Sequence, residues 1–323
     1  MSRTTPNRRS VNRALSALAL LVVAAGAVTA CSDHDSTAKH STSASASASA
    51  STSGSASASA SASSGTSQAG QAKLHMIDNG GHRLAFYVTQ GNGSTIVLDS
   101  GGGNDASYWN DLVPKLHAAT GATIVTYDRS GLGKSDVVAG PWKVQDAVSD
   151  LTTGLQQLGI TKNVTLVSHS QAGEIATYFA EQNPKMLSGA VLVDANLPQL
   201  FTDAETARLY AFDQPEVAAA KKNPDTPQNR QLISTAESFV ATSKAYHKAT
   251  WPDAVPATVI VSEKTPFDGS PEDAQRWRDA AASFVKAGPH RTLVTAKGSS
   301  HEVPKDRPDL VLKEIESMVA AQH

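Results

Sequence analysis

Cysteine is nearly absent from this 323-residue sequence, where Cys31 stands alone. A single thiol excludes an internal disulfide. Aromatic residues make up only 5% of the chain, too little material for the stacked-ring platforms that hold nucleic acid. Charge of one sign is also missing: the formal net charge is −2, and lysines, arginines and acids are scattered without long runs. Nucleic acid is therefore not an expected partner. The phosphate-cradling pattern G-x-x-x-x-G-K-[ST] does not occur, which removes the commonest use of a glycine-rich loop. Metal ligands are sparse as well. His34 and His40 fall in a low-complexity tract, and no His or Glu pair stands at helical ligand spacing, so neither a metal nor a cofactor is expected.

What the N-terminus does contain is an address. Residues 1–13 are basic and polar, residues 14–30 are almost wholly small and apolar, and Val28-Thr-Ala-Cys31 then precedes a polar tract. That order is an export signal rather than a spanning helix. A lone cysteine straight after a small-residue cleavage site resembles the lipobox of bacterial lipoproteins, which implies a signal peptide over residues 1–30 and a diacylated Cys31 as the new N-terminus. Ordinary secretion is the alternative. Arg8-Arg9 faintly resembles a twin-arginine signal, and the export route stays open. Cleavage would remove four arginines and no acid, taking the formal charge from −2 to −6. Residues 31–71 are dominated by Ser, Ala, Thr and Gly. With nothing large to bury, such a tract cannot offset its ordering entropy and reads as a flexible tether.

From residue 72 to the C-terminus strands and helices alternate. Residues 75–90 read as a hairpin about Asn79-Gly-Gly81, with alternating Leu84, Phe86 and Val88. Six short runs apolar on both faces follow, at residues 95–98, 122–126, 164–167, 190–193, 258–261 and 292–294, as buried parallel strands require. Amphipathic stretches at 145–158, 171–182, 271–285 and 308–320 separate them. The pattern predicts an α/β fold, a mostly parallel sheet covered on both faces, with its site at the carboxyl ends of the strands.

Those ends carry the chemistry. Asp99-Ser-Gly-Gly-Gly-Asn104 offers free backbone N–H groups to a developing negative charge. Asp128-Arg-Ser-Gly-Leu-Gly133 follows the next strand, and Ser168-His-Ser-Gln-Ala-Gly173 follows the third. Small residues around Ser170 suit a tight strand-to-helix turn that holds a serine outward, although Ser168 and Ala172 replace the glycines of the strict G-x-S-x-G pattern. A late histidine, His301, lies in Gly298-Ser-Ser-His-Glu-Val-Pro304. In this order the motifs resemble the α/β-hydrolase family over residues 72–323. The resemblance implies an α/β-hydrolase fold and a Ser, acid, His triad with Ser170 as nucleophile and His301 as base. It also implies an oxyanion hole made by the N–H groups of Gln171 and Gly102. Histidine suits the base because it titrates near neutrality. His169, beside the nucleophile, is expected in packing or at the pocket, not in catalysis.

The acid is less direct. Many members of the family carry an Asp in the loop after the strand at residues 258–261, where this chain has Ser262-Glu-Lys-Thr-Pro266, with Thr265 at the Asp position. Threonine cannot stabilise an imidazolium by charge. Asp194, at the end of the preceding strand, is the first candidate, Asp268 the alternative and Glu263 the third. Asp194 could instead only cap the following turn through Asn196. Residues 197–256 lack a strand pattern and resemble the family's cap, with helical stretches at 203–212 and 230–248 and several aromatics as packing or pocket walls. The expected activity is hydrolysis of small or medium carboxylic esters by a serine enzyme anchored outside the cytoplasm. A fold-retaining binding protein with a disabled triad is the alternative, as are peptidase, thioesterase and lyase chemistry on the same residues.

Overall fold

The computed structural model describes residues 71–267 and 269–321. The expected export signal, Cys31 and the Ser/Ala-rich tract lie outside the described residues, as does Asp268. Eight strands form one sheet: β1 (Lys73–Asp78), β2 (Arg83–Thr89), β3 (Thr95–Asp99), β4 (Thr123–Tyr127), β5 (Val164–His169), β6 (Leu187–Val193), β7 (Ala257–Ser262) and β8 (Arg291–Ala296), in spatial order β1-β2-β4-β3-β5-β6-β7-β8. Only β2 runs against the rest, pairing antiparallel with both β1 and β4. The hairpin turn spans four residues, with Gly80 and Gly81 at positive φ and Asn79 N–H donating to His82 O at 2.9 Å.

Alternation along the buried strands sends side chains to two cores. Val97, Val125, Leu166 and Leu192 face one side, where α2 (Val144–Gln157) and α3 (Ala172–Gln182) cover them with Val148, Leu151, Ile175 and Phe179. Ile96, Leu98, Ile124 and Val191 face the other, under Leu116 of α1 (Val113–Thr120) and Val311 and Ile315 of α8 (Pro308–Ala320). Each such aliphatic side chain contributes roughly 1.5–3 kcal/mol on full burial. α6 (Pro271–Lys286) brings Trp277 and Phe284 to the first core, and α7 (Val303–Asp306) is a single turn before α8.

Two expectations need correcting. β8 is not buried on both faces: it is an edge strand, with Leu293 39% exposed, paired only with β7. The cap helices also differ from the pattern: α4 (Asp203–Ala220) runs on past residue 212, and α5 (Pro227–Tyr246) begins before residue 230 and ends before residue 248. Pro215 sits inside α4, and its missing N–H makes the sequence read as a helix end. The buried stripe Leu209, Asp213, Val217 and Ala220 continues across it, so packing carries the helix through. Thr202 and Thr226 cap the two helices by accepting from Glu205 N–H and Asn229 N–H. Of the cap's large side chains, Phe201, Leu209, Phe239, Tyr246 and Trp251 are buried in the core, whereas Tyr210 and Phe212 are exposed.

Candidate active site

Ser170 and Asp194 are the first residues beyond β5 and β6, whose last residues, His169 and Val193, are register partners. Both depart from the strands in left-handed backbone, φ 55° at Ser170 and 43° at Asp194. Such a conformation costs a non-glycine residue on the order of 1–3 kcal/mol and persists only where the surroundings impose it. Here they do. Ser170 N–H donates to Val193 O at 3.2 Å, Asn196 N–H to Ser170 O at 2.9 Å, and Asp194 N–H to Ile260 O at 2.6 Å. The turn also needs Gly173, because a Cβ there would lie 2.3 Å from Asn196 O.

His301 joins the two. Its Nδ1 is 2.6 Å from Asp194 Oδ2 and its Nε2 is 2.9 Å from Ser170 Oγ. With a carboxylate on Nδ1 the proton belongs there, so Nε2 is free to accept from the serine hydroxyl. All three residues are buried. Asp194 takes three further hydrogen bonds, from Ser262 N–H (2.8 Å), Ser262 Oγ–H (2.6 Å) and Trp277 Nε1–H (2.8 Å). Burial alone would push this carboxyl up, but the hydrogen bond and charge of His301 and the two Ser262 donors outweigh it and hold it below the usual carboxylate range. Each oxygen has two partners, and none is the turn-capping contact through Asn196.

The other acid candidates lie elsewhere. Glu263 is exposed and accepts from Gly298 N–H at 2.5 Å. Thr265 is buried at φ 58°, its Oγ1 accepting from Phe267 N–H at 3.2 Å. His169 is wholly buried, stacked on Tyr108 at 5.2 Å, with Nε2 3.0 Å from the His301 carbonyl. Burial, then the neighbouring His301, push its pKa down to about 4, so it braces the histidine loop as a neutral ring.

The glycine loop is fixed from behind. Asn104 N–H donates to Gly101 O at 3.3 Å, and Gly103, at φ 73°, supplies the positive φ of a type II turn. Arg129, buried and paired with Asp99 at 2.8 Å, also donates to the carbonyls of Ser100 and Gly101. With those carbonyls drawn away, the N–H groups of the turn face outward. Gly103 N–H meets Gln231 Oε1 of α5 at 2.5 Å, while Gly102 and Gln171 N–H find no backbone or side-chain acceptor among the described residues. Nothing in the sequence pattern singled out Ser262, Trp277, Arg129 or Gln231, because each reaches the site from a different element.

Glu174, in the first turn of α3, is buried, and its Oε1 accepts from Asn196 Nδ2 at 2.8 Å. Burial raises its pKa to about 7 against the pull of Asn196 and Arg129. Among the described residues no group of three or more His, Cys, Asp or Glu is gathered to hold a metal ion.

A strained serine on a strand-to-helix turn, a buried carboxylate on the next strand and a histidine bridging them define the class. The family model for the α/β-hydrolase family matches residues 96–314, and the chain belongs to that family. An uncharacterized protein of Mycobacterium tuberculosis is 34% identical over 115 residues, 36% of this chain and 33% of the relative. The match thus spans about a third of that relative's length. The fold is shared with an esterase from Exiguobacterium antarcticum (TM-score 0.57, 18% identity, 76% of this chain and 98% of that one). It is also shared with an epoxide hydrolase from Vigna radiata (TM-score 0.64, 13% identity, 78% and 98%).

Proposed function

We propose that this chain is a serine hydrolase that cleaves carboxylic esters through a covalent acyl-enzyme, anchored outside the cytoplasm by a lipid on Cys31. The observation that carries the chemistry is the unbroken hydrogen-bond chain Ser170, His301, Asp194 beside two unpaired N–H groups. Ser170 Oγ attacks the carbonyl carbon as its proton passes to His301 Nε2. The resulting oxyanion is received by Gln171 and Gly102 N–H. Collapse expels the alcohol, which takes the proton from His301 and leaves Ser170 acylated. Water then gives a proton to His301 and attacks the acyl carbon, releasing the acid and restoring Ser170. Asp194 stays ionised throughout and stabilises the imidazolium.

A binding protein with a disabled triad drew its support from Thr265, and the contact of Asp194 with His301 supports the enzyme reading instead. A serine rather than an aspartate at the elbow speaks against epoxide chemistry. The test is covalent labelling with a fluorophosphonate and turnover of activated esters. Wild type should label and Ser170→Ala should not, while Asp194→Asn should lower kcat by about 10⁴-fold. An unlabelled wild-type protein beside a reacting control hydrolase would sink the proposal.

A further inference from the structure

A cleft of about 200 Å³ opens between the β4–α2 connection and the first turns of α5. Val137 and Val138, 59% and 47% exposed, and Trp142 give it an apolar wall, with Lys143, Asp146, Asp150 and Arg230 also in its lining. Its lining includes Arg129 and Gln231, the two side chains that also grip the glycine loop, Arg129 through carbonyls and Gln231 through Gly103 N–H. Ser170 does not line the cleft and is 5% exposed. The stretch of α5 that bears Gln231 is fastened to the cleft's other wall, because Trp142 N–H donates to Ser234 O (3.1 Å) and Ser234 Oγ–H to Gly140 O (2.8 Å). Whatever fills the cleft therefore presses on a side chain bonded one residue from Gly102.

We infer that Gln231 is a positioning residue that couples occupation of this cleft by an apolar chain of the substrate to the geometry of the oxyanion hole. The inference rests on the serine-hydrolase reading above. Its physical content is that binding energy from a remote, non-reacting part of the substrate is used at the reacting centre. Gln231 Oε1 holds the peptide on one side of Gly102 through Gly103 N–H, while Arg129 holds the carbonyl of the Gly101–Gly102 peptide that carries Gly102 N–H, so the two cleft-lining side chains together fix the turn. A chain seated between Val138, Trp142 and the carboxamide holds Gln231 in place. The cleft has room for roughly six or seven water-sized groups, which suits a short to medium aliphatic chain. The signature is a kcat, not only a KM, that depends on chain length.

The experiment uses 4-nitrophenyl esters from acetate to decanoate with wild type, Gln231→Ala, Gln231→Glu and Val138→Asp. Fluorophosphonate labelling of each variant is run first, so that failure of the hydrolase reading, seen as unlabelled wild type, is distinct from failure of the coupling. Wild-type kcat should rise with chain length until the cleft is filled and then fall. Gln231→Ala should label but lose about tenfold in kcat on the best ester, because a loosened glycine turn aligns its oxyanion donor less well, and its kcat profile should flatten. Gln231→Glu keeps an acceptor for Gly103 N–H and should recover most of that loss. Val138→Asp lies at the exposed mouth and should raise KM for the longer esters alone. A length-independent wild-type kcat, or a Gln231→Ala profile matching wild type, would overturn the inference. If the alanine variant is too unstable to label, the wild-type and Val138→Asp profiles decide it, and a Val138→Asp variant with wild-type KM for every ester rejects it.

Discussion

At the residue scale two buried carboxyl groups on either side of the Ser170 turn, Asp194 and Glu174, have opposite fates. Asp194 receives four hydrogen bonds and stays charged; Glu174 has one from Asn196 and is raised to about 7 from an ordinary 4.5. The consequence for stability has a definite sign. A raised folded-state pKa means that between about 4.5 and 7 the native chain keeps a proton the unfolded chain has lost. Stability is thus full below 4.5, falls as pH rises through that window and is level above it. Glu174→Gln preserves an acceptor for Asn196 and has no charge to bury. Thermal melts should find it close to wild type at pH 4 and more stable at pH 8, by about 3 kcal/mol at most. A Gln variant no more stable than wild type at pH 8 would show that Glu174 is not the group opposing folding there.

Among the elements, the β7–α6 connection holds the clearest strain without a catalytic reason for it. Thr265 is β-branched, buried and left-handed, a conformation that such side chains rarely adopt. Thr265→Asn should stabilise the fold by roughly 1 kcal/mol, because Asn tolerates positive φ and can still accept from Phe267 N–H. Denaturant titration checks this, and a destabilised variant would mean that the threonine methyl packs more than the backbone resists. This loop also shows what the sequence could and could not disclose. The short runs of β3 to β7, apolar on both faces, and the small residues about Ser170 are local signals, and they led to the observed sheet and to the strand-to-helix turn at Ser170. The partner of His301 is not local. Asp194 and His301 are 107 positions apart, so only the order of strands brings them together. The extra length of α4 beyond Pro215 and the exposure of β8 were hidden for a related reason: tertiary packing overrides the backbone signal in one case, and position at the sheet edge overrides apolar composition in the other.

For the whole molecule, both cores and every group of the proposed mechanism fall within residues 71–321. No helix of the described residues is long and apolar enough to cross a membrane. A chain begun at residue 71 should therefore fold and turn over ester at the rate of the full-length protein, whereas Cys31→Ala in the full chain should shift it from the membrane to the soluble fraction. Fractionation and radiolabelled palmitate incorporation test the anchor, and a Cys31→Ala protein that stays membrane-bound and labelled would refute it.

The placement of Ser170 and Asp194 on paired strands has one more consequence. Strand spacing, about 4.8 Å, and not a loop, sets their separation. The segment 263–270, which would otherwise have to hold an acid at a fixed distance, is thereby released from that duty. Its remaining task is to hold the histidine loop, Glu263 accepting from Gly298 N–H and Lys264 N–H donating to Ser299 O, so its sequence is free to vary wherever those two contacts and the buried Thr265 and Phe267 are kept.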